Sequence, residues 1–513
     1  MGHCARRLGV IACLLVPSVS GAQLAPLGVP AGAVRFELDG ALDSWDTRFL
    51  DGTKQSYGAD LSSPAAGTDV FPDLAEAEAQ IARSTGLATY RINLGALATD
   101  AQADVGTGIF GLSLGLTKSI TVFGRLPLVR SQVQTTTTLD ATAANVGANP
   151  GAALQTGFFT EFDAALVTLS SRLSSGAYDG NPAQRALAEA TLAEATTVRD
   201  DLLGLLGDPL TASPFLPTAA SEAGVALNAR LNDIRTTLDD DLGVPGFTAS
   251  PTLPAETLTT AELIDLIADP LGPLALRPDN SLVSFRGDAE TGVALTLVDR
   301  WDRGARRGGL RAAVEGLVRF PTGLRKAVDR PLALGTGDGQ TDVEVRVVTD
   351  LGAGSWGARL EGGYNRQLAA DIVERVAPPS QPFAPIDLLA FVRRDPGEVV
   401  SLAARPFFRL APSVAIQGSV EHWSRGEDDV RYSDEADAIP GIDASVLATQ
   451  SKASATVVGI GITYANLGGL RPGGRGLPVE AGWAYERVIN ASGGRVPNMH
   501  RLKGRFRVYF DLF

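Results

Sequence analysis

Gly111-Leu112-Ser113-Leu114-Gly115 has the spacing of a hydrolase nucleophile elbow, with Ser113 as its nucleophile. Such a serine needs a sharp strand-to-helix turn and a histidine base. Here Leu112, Leu114 and Leu116 continue one face of an alternating strand, so Ser113 reads as a small inward-facing residue. The bases on offer, His422 and His500, fall close to expected loops. Gly106-Thr107-Gly108-Ile109-Phe110-Gly111 fits a dinucleotide fingerprint, but no helix follows it. Glycine there fits better with crowding in a curved sheet. Both cysteines, Cys4 and Cys13, lie in the first 22 residues. With them removed, thiolate, zinc and iron chemistry is not expected, and no cofactor or metal is assigned. The acidic run Glu427–Asp437 lacks EF-hand spacing and reads as a solvated loop. Asp338-Gly339 reads as a turn.

The charges that remain are organised by a period of two. In the last dozen residues Leu502, Phe506, Val508, Phe510 and Leu512 share one face, and Lys503, Arg505, Arg507 and Tyr509 the other. The same dyad recurs upstream. It sets Arg311, Glu315, Arg319, Glu344, Arg346, Arg359, Glu361, Arg405, Arg409, Glu421, Glu480 and Glu486, with Arg505 and Arg507, opposite apolar neighbours. If the apolar face meets lipid, these fourteen residues line a lumen, because a charge facing the bilayer midplane costs about 2–4 kcal/mol. They serve either as a cross-strand salt-bridge ladder or as a polar pathway whose selectivity they tune, and the two roles are compatible.

The elements that carry them are long for a soluble sheet. Each alternating run covers about 9–15 residues, enough for a tilted strand to cross a bilayer, where soluble strands typically have about 5–6. Trp301, Phe320, Trp356, Trp423 and Trp483 fall near run ends, where interfacial aromatic girdles belong. Connections alternate in length. Thr117-Lys118, Asp299–Gly308, Gly352–Ser355, Leu410–Ser413 and Asn466–Gly476 are short; Pro321–Gln340, Leu368–Glu398, Arg425–Lys452 and Val133–Ser284 are long. This is the rhythm of an up-and-down barrel. Twelve strands are counted from Ala88–Asp100 onward, the next being Thr107–Leu116. A hairpin over Val34–Asp51, turning at Asp39-Gly40, would make fourteen. The fold expected is all-β: a transmembrane up-and-down antiparallel β-barrel of 12–14 strands with a helical extracellular insertion.

Residues 133–283 form that insertion, an extracellular or lumenal cap. Leu154–Leu173, Pro182–Leu206, Ala219–Leu242 and Leu258–Ile267 carry apolar residues at helical spacing, and Asn181-Pro182 is a cap followed by a first-turn proline. Asp73–Arg83 is expected as a short helix inside the barrel, part of a plug-like segment within residues 23–87. The first barrel strands then occupy 88–132, and the remaining ones, ending in a C-terminal assembly strand, 284–513. Residues 1–22 have the form of a secretory signal peptide: Arg6-Arg7, an apolar stretch from Leu8 to Val16, and Ser20-Gly21-Ala22 before Gln23. A lipoprotein box at Val10–Cys13 competes with it, but the apolar stretch runs on past Cys13. The formal charge of −13 leaves no basic stripe for phosphates, so nucleic acid is not a partner.

A signal peptide, alternating strands and a last strand ending in Phe513 resemble the bacterial outer-membrane β-barrel proteins, with Phe513 itself out of phase with the alternation. A fourteen-strand count, an N-terminal plug and helical outer loops are similar to the long-chain fatty acid and aromatic-hydrocarbon transporter family. The Asn-Pro-Ala element of that family belongs near the N-terminus; the only one here, Asn181-Pro182-Ala183, lies in the insertion, and no residue role is carried over. The resemblance implies a bacterial outer-membrane location. It implies contact with outer-membrane lipid and lipopolysaccharide, insertion by the barrel-assembly machinery, and passage of a small solute, hydrophobic compounds being the leading class. The alternative from another class is a barrel that only anchors a surface-binding helical insertion. A hydrolase dependent on Ser113 ranks third. Oligomeric state is left open.

Overall fold

The computed structural model describes residues 27–207, 212–302, 308–467 and 477–511. The expected signal peptide and Phe513 lie outside them, as do parts of the Asp299–Gly308 and Asn466–Gly476 connections. Twelve antiparallel strands close into one barrel: β1 (Ala33–Trp45), β2 (Ala96–Gly115), β3 (Ile120–Asp140), β4 (Ala289–Asp302), β5 (Gly308–Phe320), β6 (Asp342–Ala353), β7 (Trp356–Gln367), β8 (Val399–Ala411), β9 (Val414–Arg425), β10 (Ala453–Asn466), β11 (Val479–Gly493) and β12 (His500–Asp511). Each pairs with the next, and β12 returns to β1 from Ala33↔Asp511 to Ser44↔His500. Closure leaves no open edge, which a sheet in hydrocarbon requires. No described helix is long and apolar enough to cross a membrane.

Twelve is the lower of the two expected counts, but it is reached with different strands. The hairpin expected over Val34–Asp51 is instead one barrel strand, ending at Trp45, followed by a short strand Thr47–Leu50 that pairs with Arg495–Pro497 outside the barrel sheet. Asp39-Gly40 does not turn: Gly40 stays extended between Gly504 and Gly108. The pair reads as a turn signal in isolation, yet the alternation of Phe36 and Leu38 against Glu37 and Asp39 runs straight through it. The end of Ala88–Asp100, from Ala96, and nearly all of Thr107–Leu116 likewise belong to one strand. β2 pairs with β3 without a break from Ala96↔Asp140 to Gly115↔Thr121. One strand gained and one lost restore the total.

The outer face is apolar. Phe36, Leu38, Phe110, Leu112, Leu360, Leu402 and Ile460 are exposed, while their sequence neighbours Glu37, Arg359 and Ala403 turn inward or lie less open. Trp356 packs on Phe408 and Phe36 on Phe510 near the short-turn rim, with ring centroids 4.7 and 5.6 Å apart. Trp356, Trp483 and Phe320 face outward as a girdle requires. Trp301 and Trp423 do not. Trp301 is buried inside the barrel among cations, and Trp423 packs on the inner cluster of Ala455, Val488, Ala491 and Val496. A tryptophan's position along a strand gives its depth; only the phase of the dyad gives its face.

β2 and β3 run to 20 and 21 residues, well beyond their neighbours, and project past the far rim. They carry a helical body: α1 (Leu74–Thr85), α2 (Thr156–Ser174), α3 (Pro182–Leu202), α4 (Glu222–Thr236) and α5 (Thr260–Ala268). Caps fix the starts. Asn181 accepts from the Gln184 amide ahead of Pro182, Ser221 accepts from Gly224, and Thr259 with Glu262 forms a capping box. α1 departs from its expected place. Leu74, Ala77 and Ile81 pack with Phe158, Leu227 and Leu263 in the core of the helical body, so the helix is not inside the barrel. Its apolar face matches that core, whereas the lumen offers charges. Of the N-terminal segment, residues 28–30 do enter at the short-turn end. The Val29 amide donates to Thr121 Oγ1 at 2.9 Å. A Cβ on Gly115 would stand 2.0 Å from the Pro30 carbonyl oxygen, so that position tolerates no side chain.

Leu38 lies mid-strand on β1 and is 48 % exposed on the outer face. Leu38→Arg is expected to cost about 2–4 kcal/mol in reversible folding into lipid vesicles. A neutral result would place that face away from lipid.

Candidate functional site: the charged lumen and its cavity

Inward residues of most of the strands form ion-pair clusters, to which β2 and β10 contribute no charge. Asp350, wholly buried, accepts from Arg311 Nε at 2.7 Å and Arg359 Nε at 2.6 Å. Arg319 binds Asp342, with Glu290 at 2.9 Å and Glu344 at 3.5 Å. Arg346 pairs with Glu344 and stands 3.9 Å from Glu315. Arg405 joins Glu361 to Glu421, the latter at 3.1 Å. Glu486 holds Lys503 at 2.7 Å. Arg409 and Arg311 stack on Trp301, 5.4 and 4.5 Å from the ring centroid. At the seam Arg507 reaches Glu480 and Glu37, each at 3.2 Å, and Arg505 grips Asp39 with two bonds of 3.0 Å. The fourteen sequence-predicted charges follow the inward phase of the strands, bonded to one another or to neighbours such as Asp350, Asp39 and Trp301, and of them Arg319, Glu480 and Arg505 line the cavity described below.

Several members escaped the sequence reading. Glu37, Asp39 and Asp43 were hidden by the expected turn in β1, although the dyad through Asp39-Gly40 would have exposed them. Arg501, Arg125 and Glu290 follow the same dyad on β12, β3 and β4. Ser113 is buried in this network. It donates to Glu37 Oε1 at 3.0 Å and accepts from Arg35 Nη2 at 3.3 Å. His422 and His500 are exposed, against Thr456 Oγ1 and the Tyr485 hydroxyl.

The loop 321–341 reaches in from the far rim. Ser131 Oγ donates to the Leu334 and Gly335 carbonyls at 3.2 and 3.4 Å, and the Tyr57 hydroxyl to the Leu332 carbonyl at 3.2 Å. Asp288 accepts from the Gly323 amide at 2.8 Å, and Thr336 Oγ1 donates to the Arg286 carbonyl at 2.8 Å. A Cβ at Gly337 would stand 2.5 Å from Asp288 Oδ1, so a side chain there would displace that carboxylate. Between this loop and the barrel wall lies a cavity of about 460 Å3. Its wall is charged through Asp39, Glu290, Arg319, Arg501 and Arg505, and apolar through Ile109, Val129, Leu334 and Ile372.

Asp338-Gly339 does turn, with Asp338 Oδ1 accepting from the Gln340 amide at 2.9 Å. The same carboxyl group also faces the cavity, a role the turn reading missed. Burial, and then Asp342 beside it, push its pKa up to about 6. Burial raises that of Asp288 too. Asp428, expected in a solvated acidic loop, is instead buried and binds Arg394 and Arg425.

Asp350→Ala would strand two buried guanidinium groups, at a cost of about 3–5 kcal/mol in folding free energy, read by denaturant titration in vesicles. For Asp338, a carboxyl pKa raised on docking makes the docked loop more stable while the group is neutral. That stability falls as pH rises through about 6. Amide hydrogen-exchange protection in residues 323–340, corrected for intrinsic pH dependence, should therefore increase from pH 7.5 to 5. Asp338→Asn should show the high protection throughout; a flat profile in the unaltered chain would contradict the assignment.

No protein-family model matches this chain, and no curated protein matches it either. Among solved structures it is similar to an outer membrane channel from Pseudomonas putida F1, at 11 % identity and a TM-score of 0.44, covering 97 % of this chain and 100 % of that one. It is also similar to the P. putida toluene transporter TodX, at 8 % identity, TM-score 0.26 and 95 % and 91 % coverage. A Pseudomonas aeruginosa FadL homologue matches at 7 % identity, TM-score 0.26 and 94 % and 90 % coverage. Strand pairing, closure and the apolar outer band, rather than these distant likenesses, identify the chain as a β-barrel of the outer-membrane type.

Proposed function

We propose that this protein is a bacterial outer-membrane channel for a small solute, delivered after cleavage of residues 1–22. The observation that carries the reading is the cavity of about 460 Å3 between the barrel wall and the inward-folded loop 321–341. A barrel serving only as an anchor has no need for a loop strapped across a lumenal space. In this reading the short turns face the periplasm, and residues 133–283 stand outside the cell. Of the fourteen inner charges, Arg319, Glu480 and Arg505 stand beside the solute's path and the others brace the wall behind it. Lipid and lipopolysaccharide surround the apolar band, and the barrel-assembly machinery inserts it. The apolar part of the cavity wall, Ile109, Val129, Leu334 and Ile372, supports a solute with a hydrophobic portion.

The second reading, an anchor for a surface-binding insertion, is favoured by one observation. The helical body has its own core, with Phe162, Leu169, Leu231 and Leu263 fully buried.

Single-channel recording separates them. The purified protein in planar bilayers is expected to give discrete conductance steps. Replacing residues 323–339 with a short Gly-Ser link should enlarge those steps. A barrel that shows heat-modifiable migration yet stays silent in both forms would favour the anchor.

A further inference from the structure

The charge of this chain is unevenly placed. Residues 133–283 hold 19 acids and six arginines, a net of −13, whereas residues 23–132 and 284–513 hold 39 acids and 37 bases. Within the helical body most of the arginines already have acidic partners. Arg199 binds Asp163 at 2.7 Å and Asp200 at 3.0 Å, Arg230 binds Glu194 at 3.1 Å, and Arg185 binds Glu189 at 3.0 Å. Asp233, Asp239, Asp240, Glu256 and Asp265 are exposed, with no cation bonded to them among the described residues.

The cavity has no such excess. Among the described residues nine basic and seven acidic side chains line it. Asp342 and Asp428, bonded to three of those bases, bring the acids to nine as well. The body is seated on the two segments that bound the cavity at the far rim. The Arg277 amide donates to the Asp329 carbonyl of the inward loop at 2.6 Å, and Arg330 Nη1 donates to the Asn280 carbonyl at 2.7 Å. Phe71 stacks on Phe383 at 4.7 Å, and the Ile386 amide donates to the Pro273 carbonyl at 2.8 Å. Phe383 and Ile386 belong to the hairpin 370–395, whose Ile372, Glu374 and Arg394 line the cavity. At this junction Asp73 lies near Asp387; burial, and then Asp387, raise the pKa of Asp73.

Opposite charges in bonded pairs cancel at a distance, whereas an excess of one sign adds. Such an excess beside an entrance concentrates ions of the other sign and speeds their arrival. Salt limits its reach, to about 30 Å at 0.01 M and about 10 Å at 0.1 M.

We infer that the helical body makes the channel selective for cations, drawing small ones such as potassium or organic amines to the cavity mouth and repelling anions. This rests on the channel reading and adds the sign of the favoured solute to it. The balanced cavity leaves that choice to the entrance. The effect belongs to the summed field, so it weakens with salt and with every acid removed.

The test is the reversal potential in planar bilayers under a potassium chloride gradient. The unaltered channel is expected to prefer potassium over chloride, more strongly at about 0.01 M salt than at about 1 M. Neutralising Asp233, Asp239 and Asp240 to Asn, Glu256 to Gln and Asp265 to Asn together should lower that preference. A conducting channel that prefers chloride, or one whose preference ignores both salt and these five changes, overturns the inference. Should the fivefold variant lose heat-modifiable migration, the salt dependence of the unaltered channel decides alone.

A silent barrel fails the channel reading instead, and a second measurement then tests the field. From Gln23 onward the chain has no cysteine, so Ala327→Cys supplies a single thiol on the exposed part of the inward loop. Arg325 and Lys326 beside it favour an anionic reagent. A trimethylammonium methanethiosulfonate is nevertheless expected to react about tenfold faster than the sulfonate analogue at low salt. The ratio should fall at high salt and in the fivefold variant. Faster reaction of the sulfonate, or a ratio unmoved by salt, overturns the inference.

Discussion

A sheet in hydrocarbon cannot leave a backbone N–H or C=O unpaired, because no water is there to satisfy it. For this chain the constraint is met at one place, the pairing of β1 with β12 alongside β1 with β2. Once the sheet is closed, each strand has one face for lipid and one for the interior, and the dyad decides which side chain goes where. Charges are thereby forced into a space too narrow to hydrate them all. Asp350, Glu480 and Arg405, each nearly or wholly buried, show the outcome: every one is met by groups of opposite charge from adjoining strands.

Such pairs do little for stability in the ordinary sense. Taking two ions out of water costs about as much as their attraction returns, so a buried bridge is weak evidence for a stable fold. Its effect is on shape. Arg311 and Arg359 sharing Asp350, or Arg319 contacting Asp342, Glu290 and Glu344, tie three or more strands to one geometry. The cavity sits against a rigid wall for this reason. Its other side is the loop 321–341, held by hydrogen bonds from Ser131 and Tyr57 to its carbonyls, from Thr336 to the Arg286 carbonyl and from the Gly323 amide to Asp288.

Much of the barrel was legible in the sequence, because a period of two sustained over a dozen residues is the mark of a long strand with two unlike faces. The faces of Arg311, Arg359, Arg405 and Arg507 could be assigned from their neighbours alone. Errors arose where a local signal contradicted the period. Asp39-Gly40 is a common turn pair, but flanked by Phe36, Glu37, Leu38 and Ala41 it remains strand. Trp301 sits at a girdle's depth yet points inward. What could not be read was long-range. Nothing in residues 321–341 announces that the loop folds into the lumen, since its partners at Ser131, Tyr57 and Asp288 are remote in sequence. The packing of α1 with α3 and α4 is equally non-local: its apolar face was visible, but the surface it meets was not.

The seam between first and last strands bears on how the barrel is put together. Arg501 with Asp43, Arg505 with Asp39 and Arg507 with Glu37 join residues 458, 466 and 470 positions apart. Contacts of such separation cost the most chain entropy and form late. A slip of one residue would turn three arginines toward lipid. A slip of two would break the bidentate fits of Arg501 on Asp43 and Arg505 on Asp39 and leave one acid at the end without a mate. The alternating charges on β1 and β12 thus work as a toothed edge that meshes in a single register. A nascent barrel can hold its two ends together loosely and complete closure only when every tooth has found its gap.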